Sequence, residues 1–189
     1  MIQVRIDQSV VARAIDIARQ EDILPSGSVD RSLSQKGRRA VWEGAVGQAV
    51  FEAALAALGI PCEFKASIFY DYQTPAGRVE VKTKERAVAP APSYEASIYD
   101  YNKDRQDADW YAFVSLRLAE GRTKESEART DKYDTGWVCG CIARQEFTRS
   151  AFEVNIGDPL PNGQAAGFAS RNIRYSALDG LEVLRGNRT

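Results

Sequence analysis

The sequence predicts an α/β fold built on a mixed central sheet. Three observations carry that expectation: an amphipathic helical pattern over Arg38–Leu58, two strand-like arms closed by a turn at Pro75–Gly77, and the apolar run Trp110–Leu118. Helical and strand patterns interleave along the chain, which is the arrangement that layers helices on a sheet. A chain of 189 residues suits one domain and can bury a sizeable core. We read residues 1–189 as that domain. Residues 1–36 hold a strand, a helix and a connector, 37–149 a core, and 150–189 a tail that docks on it.

Ile2–Ile6 alternates apolar and polar residues, a short strand. Gln8–Arg19 carries Val11, Ala14, Ile15 and Ala18 at helical spacing. Ser26–Gln35 is rich in Ser with a Gly and reads as a connector. In Arg38–Leu58, the residues Val46, Gly47, Val50, Phe51, Ala54, Leu55 and Leu58 share one face, with Gly59 and Pro61 as stop signals. Glu63–Tyr70 and Arg78–Arg86 read as the arms of a hairpin around the turn Gln73–Gly77. Two prolines break Ala87–Pro92, and Tyr94–Gln106 reads as weakly helical. Trp110–Leu118 has the near-continuous apolar character of a strand buried on both faces. A charged loop, Gly121–Asp134, precedes a second apolar strand, Gly136–Ala143. A short helix follows near Gln145–Phe152, then a Gly/Pro/Asn-rich tail whose apolar end, Leu178–Leu184, docks on the core.

Composition removes many chemistries. There is no histidine, so a Ser-His-Asp or Cys-His nucleophile and any His-ligated metal are excluded. Acid–base work falls to Asp, Glu, Lys, Tyr or a metal-bound water. The three cysteines, Cys62, Cys139 and Cys141, cannot close a four-cysteine zinc or iron–sulfur site. An odd count and no leader-like start predict reduced thiols and a cytoplasmic protein. Strand alternation places the thiols of Cys139 and Cys141 on the same face as inert core groups. No apolar run approaches the length of a membrane span. A net charge of −1 gives no global pull toward polyanions, so such binding needs a local patch. Two are candidates: Arg31, Lys36, Arg38 and Arg39, and then Lys65, Arg78, Lys82, Lys84 and Arg86.

The stretch from Tyr70 to Lys84 carries the chemistry. In a strand, Val79, Val81 and Thr83 share one side while Glu80, Lys82 and Lys84 share the other. Asp71 lies across the turn, so closing the hairpin brings its carboxylate beside Glu80. Adjacent carboxylates repel unless a cation sits between them. A hard divalent ion accepts one or two carboxylates, keeps its waters and bridges to phosphate oxygens. A lysine beside it can orient a water and offset charge building on phosphate.

Asp71, then eight residues, then Glu80-Val81-Lys82, with a helix before and a buried strand after, resembles the PD-(D/E)XK nuclease superfamily. The likeness covers roughly Gly37–Ala143. It implies a restriction-endonuclease-like fold and a Mg²⁺-dependent deoxyribonuclease, most naturally an endonuclease, with Mn²⁺ as a substitute. By resemblance Asp71, Glu80 and the Val81 carbonyl hold the metal, and Lys82 assists the nucleophilic water.

The helix residue of the site has two candidates. Many members carry Gly-Glu where this chain has Gly47-Gln48, and Gln48 is a neutral ligand. Helical stepping instead puts Glu43 near the middle of the apolar stripe, beside Val46, Gly47 and Val50. A carboxylate there needs compensation, which a metal site would supply. A second departure is Tyr70, where the pattern's proline would stand. Lys84, Lys36, Arg38 and Arg39 are the candidate phosphate contacts. The partner expected is DNA, with no membrane involvement; a homodimer would suit duplex cutting. A non-catalytic nucleic-acid-binding or protein-interaction module on the same scaffold is the alternative.

Overall fold

The computed structural model describes residues 1–21, 35–99, 107–124, 129–160 and 163–186. The Ser26–Gln35 connector falls almost wholly outside them, as do Arg31 and the second half of Tyr94–Gln106. The elements run β1 (Ile2–Arg5), α1 (Gln8–Glu21), α2 (Gln35–Ala57), β2 (Glu63–Phe64), β3 (Tyr72–Thr74), β4 (Gly77–Arg86), β5 (Glu95–Tyr99), β6 (Trp110–Leu118), β7 (Tyr133–Ala143), α3 (Arg144–Ser150), β8 (Phe152–Val154) and β9 (Ser170–Arg174). Two 3₁₀ turns, Tyr175–Ala177 and Leu181–Arg185, follow.

The main sheet is mixed α/β in the expected sense, with strand order β1-β7-β6-β4-β3-β2. β4 and β6 run parallel, and the other pairings are antiparallel. A parallel pair needs a crossover, and here residues 87–109 make it. One face of the sheet takes α1 and α2. Val46, Val50, Phe51, Ala54 and Leu55 pack there on Val79, Val81, Val114 and Leu116. The other face takes Ala96, Ile98, Phe147 and Ile173 against Tyr111, Phe113 and Ile142. β6 is therefore covered on both sides, as its unbroken apolar run requires.

α2 runs close above β4 because position 47 has no side chain. A Cβ on Gly47 would lie 1.9 Å from the Thr83 hydroxyl oxygen. Arg13 of α1 grips Glu52 of α2 through a 2.9 Å ion pair and lies over the Phe64 ring, which sets the two helices on the sheet as a unit.

Several elements differ from the sequence expectation. Only Glu63–Phe64 of the Glu63–Tyr70 arm is strand. The turn is confined to Pro75 and Ala76, because Thr74 already pairs with Gly77. Tyr94–Gln106 was expected as a helix, but its described part is β5. Ala96 and Ile98 alternate inward there, and the partner that settles the matter, β9, lies more than 70 residues on. The tail also does more than dock: β8 and β9 build a second sheet, ordered β5-β9-β8. Its end docks as expected, with Leu181 and Leu184 buried.

The two strand cysteines face opposite ways, which corrects the expectation of a shared face. Phe113 pairs with Gly140 and Val114 with Val138, so Cys139 is the extra residue of a β-bulge. Gly140 takes φ +146° there, a conformation glycine supplies. Cys139 then packs in one core and Cys141 in the other. Burial pushes their thiols up to about 11 and about 12, as inert thiols. No described helix is long and apolar enough to cross a membrane.

Candidate active site

The site lies where β3 parts from β4. The carbonyl of Val79 accepts the Asp71 N–H at 3.0 Å, while Tyr72 is the ladder partner of Val79. Two residues thus oppose one, the pattern of a bulge, which re-aims a side chain. Asp71 Oδ2 accepts the Val81 N–H at 2.6 Å, and Oδ1 accepts Gln48 Nε2 at 2.7 Å. So Asp71 meets β4 one residue from Glu80 by capping the strand's backbone. The bulge directs it there, where simple alternation would have stood it across the hairpin.

Within one strand residue the N–H and C=O face the same neighbour. The Val81 carbonyl therefore also turns toward the side that β3 leaves. Asp71 is 8% exposed and Gln48 is 5%.

Glu80 and Lys82 project from β4 on the face opposite Val79 and Val81. Lys82 Nζ donates to Glu80 Oε1 at 2.6 Å, with the side chains 20% and 13% exposed. Burial pushes the Glu80 carboxyl above its ordinary range, and the Lys82 ammonium pulls it back. A half-buried pair of this kind is tightly poised, because each charge depends on the other.

Tyr72, unnoticed in the sequence, positions the helix over this point. Its hydroxyl has one proton, shared between the Gln48 carbonyl at 3.0 Å and Glu52 Oε2 at 3.3 Å. Burial drives its phenol far above the ordinary value, so it stays a donor. The signal available was the Asp71-Tyr72 step itself, which alternation turns into one strand-edge group and one inward ring.

Of the two helix candidates, Gln48 is the one joined to Asp71. Glu43 stands five residues earlier, about 7.5 Å back along the axis, in another cluster. The charges acting on it are Glu85, Lys132 and Lys124, and burial pushes its carboxyl up to about 7. Lys132, 1% exposed, pairs with Glu85 at 2.6 Å, and the Tyr133 hydroxyl donates to the same carboxylate. Lys132 offsets only part of the cost of Glu43's place on the stripe, because burial and Glu85 act the other way.

Among the expected phosphate contacts, Lys84 lines a groove beyond Lys82 on β4. Arg39 is partly exposed on α2, while the side chains of Lys36 and Arg38 lie outside the described residues. Asp109 serves the scaffold: its carboxylate accepts the Arg78 backbone N–H at 2.9 Å and the Arg78 guanidinium at 3.0 Å, which fixes the start of β4 beside β6. The Arg78 guanidinium is the first cause holding Asp109 below the usual carboxylate range.

Among the described residues, no cluster of three or more His, Cys, Asp or Glu side chains is placed to hold a metal ion. Asp71, Glu80 and the Val81 carbonyl are each hard oxygen donors. No family model matches this chain, and no curated relative or solved structure does.

Proposed function

We propose that this chain is a metal-dependent nuclease of restriction-endonuclease-like fold that hydrolyses phosphodiester bonds of DNA. The observation that carries the reading is the Asp71 carboxylate seated on the Val81 N–H, one residue from the buried Glu80–Lys82 pair. On this reading acid, acid and lysine from two neighbouring strands share one opening of the sheet, with Gln48 bonded to Asp71. The order of helix, acid-bearing hairpin and buried parallel strand is also that on which the family resemblance rests.

The donor set suits a hard divalent cation, which needs few protein oxygens and keeps its own waters. The burial that raises Glu80 is what a nearby cation relieves. Asp71, Glu80 and the Val81 carbonyl would hold Mg²⁺, with Mn²⁺ as substitute. The ion, when bound, acidifies a water and withdraws charge from the phosphoryl oxygens. Lys82 supplies a donor for the incoming water and positive charge against the phosphate. Gln48 keeps Asp71 aimed at β4, and Tyr72 keeps the Gln48 turn in place.

The test is DNA cleavage with Mg²⁺ or Mn²⁺, comparing wild type with Glu80→Ala and Lys82→Ala. EDTA should abolish cutting, and each variant should lose at least about 10²-fold, the usual weight of one charge-stabilising group. No cutting of duplex, single-stranded or branched DNA by wild type would falsify the proposal. The closed Glu80–Lys82 pair favours one second reading, a non-catalytic nucleic-acid-binding module. That module predicts salt-sensitive DNA binding with no metal-dependent turnover, so binding and cleavage measured side by side separate the two.

A further inference from the structure

Beyond Lys82, β4 runs into a groove of about 380 Å³ between the main sheet and the second one. Its volume falls in the range of small-molecule sites. Three cations line it: Lys84, Arg86 and Lys124. Desolvation, then Arg86, holds the Lys84 ammonium below the ordinary lysine range, with Lys124 adding to the effect. An arriving anion relieves such crowding. Two carboxylates also stand in the wall: Glu85 binds Lys132 at 2.6 Å, and Glu95 accepts Asn172 Nδ2 at 3.1 Å within the groove, where it favours the Lys84 charge.

The groove is aromatic as well as basic. Tyr99 and Phe168 meet edge to face with centroids 5.8 Å apart, yet they remain 41% and 59% exposed. Arg86 lies over the Tyr94 ring at 4.6 Å and the Tyr175 ring at 5.6 Å, a rigid cationic floor. Exposed rings beside a basic channel are the means by which proteins hold unpaired bases: the rings stack and the cations follow the backbone. A base stacked within a duplex has both faces covered by its neighbours and offers none to such rings.

We propose that this groove binds an unpaired nucleotide of a single-stranded nucleic acid, its base on Tyr99 and Phe168 and its phosphates on Lys84 and Lys124. Lys84 stands two residues from Lys82 on the same strand face, roughly 7 Å away. A strand seated in the groove is thereby delivered to the candidate active site. The inference rests on the nuclease reading only for that delivery, and it narrows the substrate to a strand with an unpaired segment.

The experiment is fluorescence anisotropy with labelled oligothymidylate and a labelled duplex, in EDTA so that nothing is cut. For Tyr99→Ala with Phe168→Ala, single-strand affinity should fall about tenfold or more, and duplex affinity should move less than about threefold. Tyr99→Phe with Phe168→Tyr should keep the affinity, because the stacking faces remain. Lys84→Gln with Lys124→Gln should reduce the slope of log affinity against log salt by about 1.4. Unchanged single-strand affinity in the alanine pair, or an equal loss for duplex, overturns the proposal. So does thymidine monophosphate binding as tightly as the oligomer, which would assign the groove to free nucleotides. Cleavage is scored separately. An inactive wild type that still binds single strands through these residues sinks the nuclease reading alone, and an active enzyme with unaffected groove variants sinks the groove alone.

Discussion

The side-chain amide of Gln48 donates to Asp71 Oδ1 at 2.7 Å, and both residues are buried. This one bond ties α2 to the point where the sheet opens. A hydrogen bond to a charged group contributes about 1.5–3 kcal/mol, so Gln48→Leu should lower stability by that order, read as a shift in the urea midpoint. Gln48→Glu should behave differently. It sets a second carboxylate against Asp71, so metal-free protein should melt earlier while Mn²⁺ should raise the melting temperature more than it does in wild type. Equal Mn²⁺ shifts in the two proteins would separate Gln48 from metal binding.

Breaking the Glu80–Lys82 pair from one side leaves a poorly solvated charge. Glu80→Gln and Lys82→Met should each cost about 1–3 kcal/mol, below the full cost of a sealed pair because both side chains keep some exposure. The double variant should recover part of that loss. A double-mutant cycle in urea measures the coupling, and strictly additive losses would show that the two charges do not depend on each other.

Glu43 makes stability depend on pH. Its carboxyl titrates at 4.5 when unperturbed and is pushed up to about 7 in the fold by burial, with Glu85 adding and Lys132 opposing. Between those values the folded state binds more protons than the unfolded one. Stability therefore falls as pH rises from about 4.5 to about 7 and levels above it, by on the order of 3–4 kcal/mol. Glu43→Gln should abolish that slope and exceed wild type in stability at about pH 8. Urea midpoints across the window decide it: identical pH profiles for the two proteins would contradict the assignment.

Gly47→Ala should be severely destabilising. Its new Cβ would sit 1.9 Å from Thr83 Oγ1 and 2.8 Å from Thr83 Cβ. Overpacking of this kind costs about 1–3 kcal/mol, and here it lifts α2 from the strand that carries Glu80 and Lys82. Thr83→Ala alone should be nearly neutral, since the hydroxyl it removes is buried without a hydrogen-bond partner. Combined with Gly47→Ala it should rescue stability only in part, because the Thr83 Cβ remains in the way. Thermal melts of the three variants test the order.

What could be read from residue order alone was what local periodicity controls. Helix α2, the hairpin turn and the doubly buried β6 all announce themselves within a short window. β5 and β9 do not, because Ala96 and Ile98 acquire meaning only when Ile173 and its neighbours arrive from far along the chain. Asp71, Glu80 and Lys82 were legible as types and spacing. The bulge that aims Asp71 at the Val81 N–H was not, since it depends on where β3 ends. Glu43 and Gln48 both stayed open in the sequence for a related reason. Angular stepping around a helix tells which residues share a face, while the sheet beneath decides which of them meets a carboxylate and which meets Lys132.

The order of the main sheet leaves β1 and β2 at its rims, four and two residues long. Short rims give a foreign strand little backbone to zip onto, a recognised protection against runaway self-association. A foreign strand seeking backbone partners in this sheet would meet little at those rims and would have to turn to the stretch of β4 after Val79, which β3 does not pair.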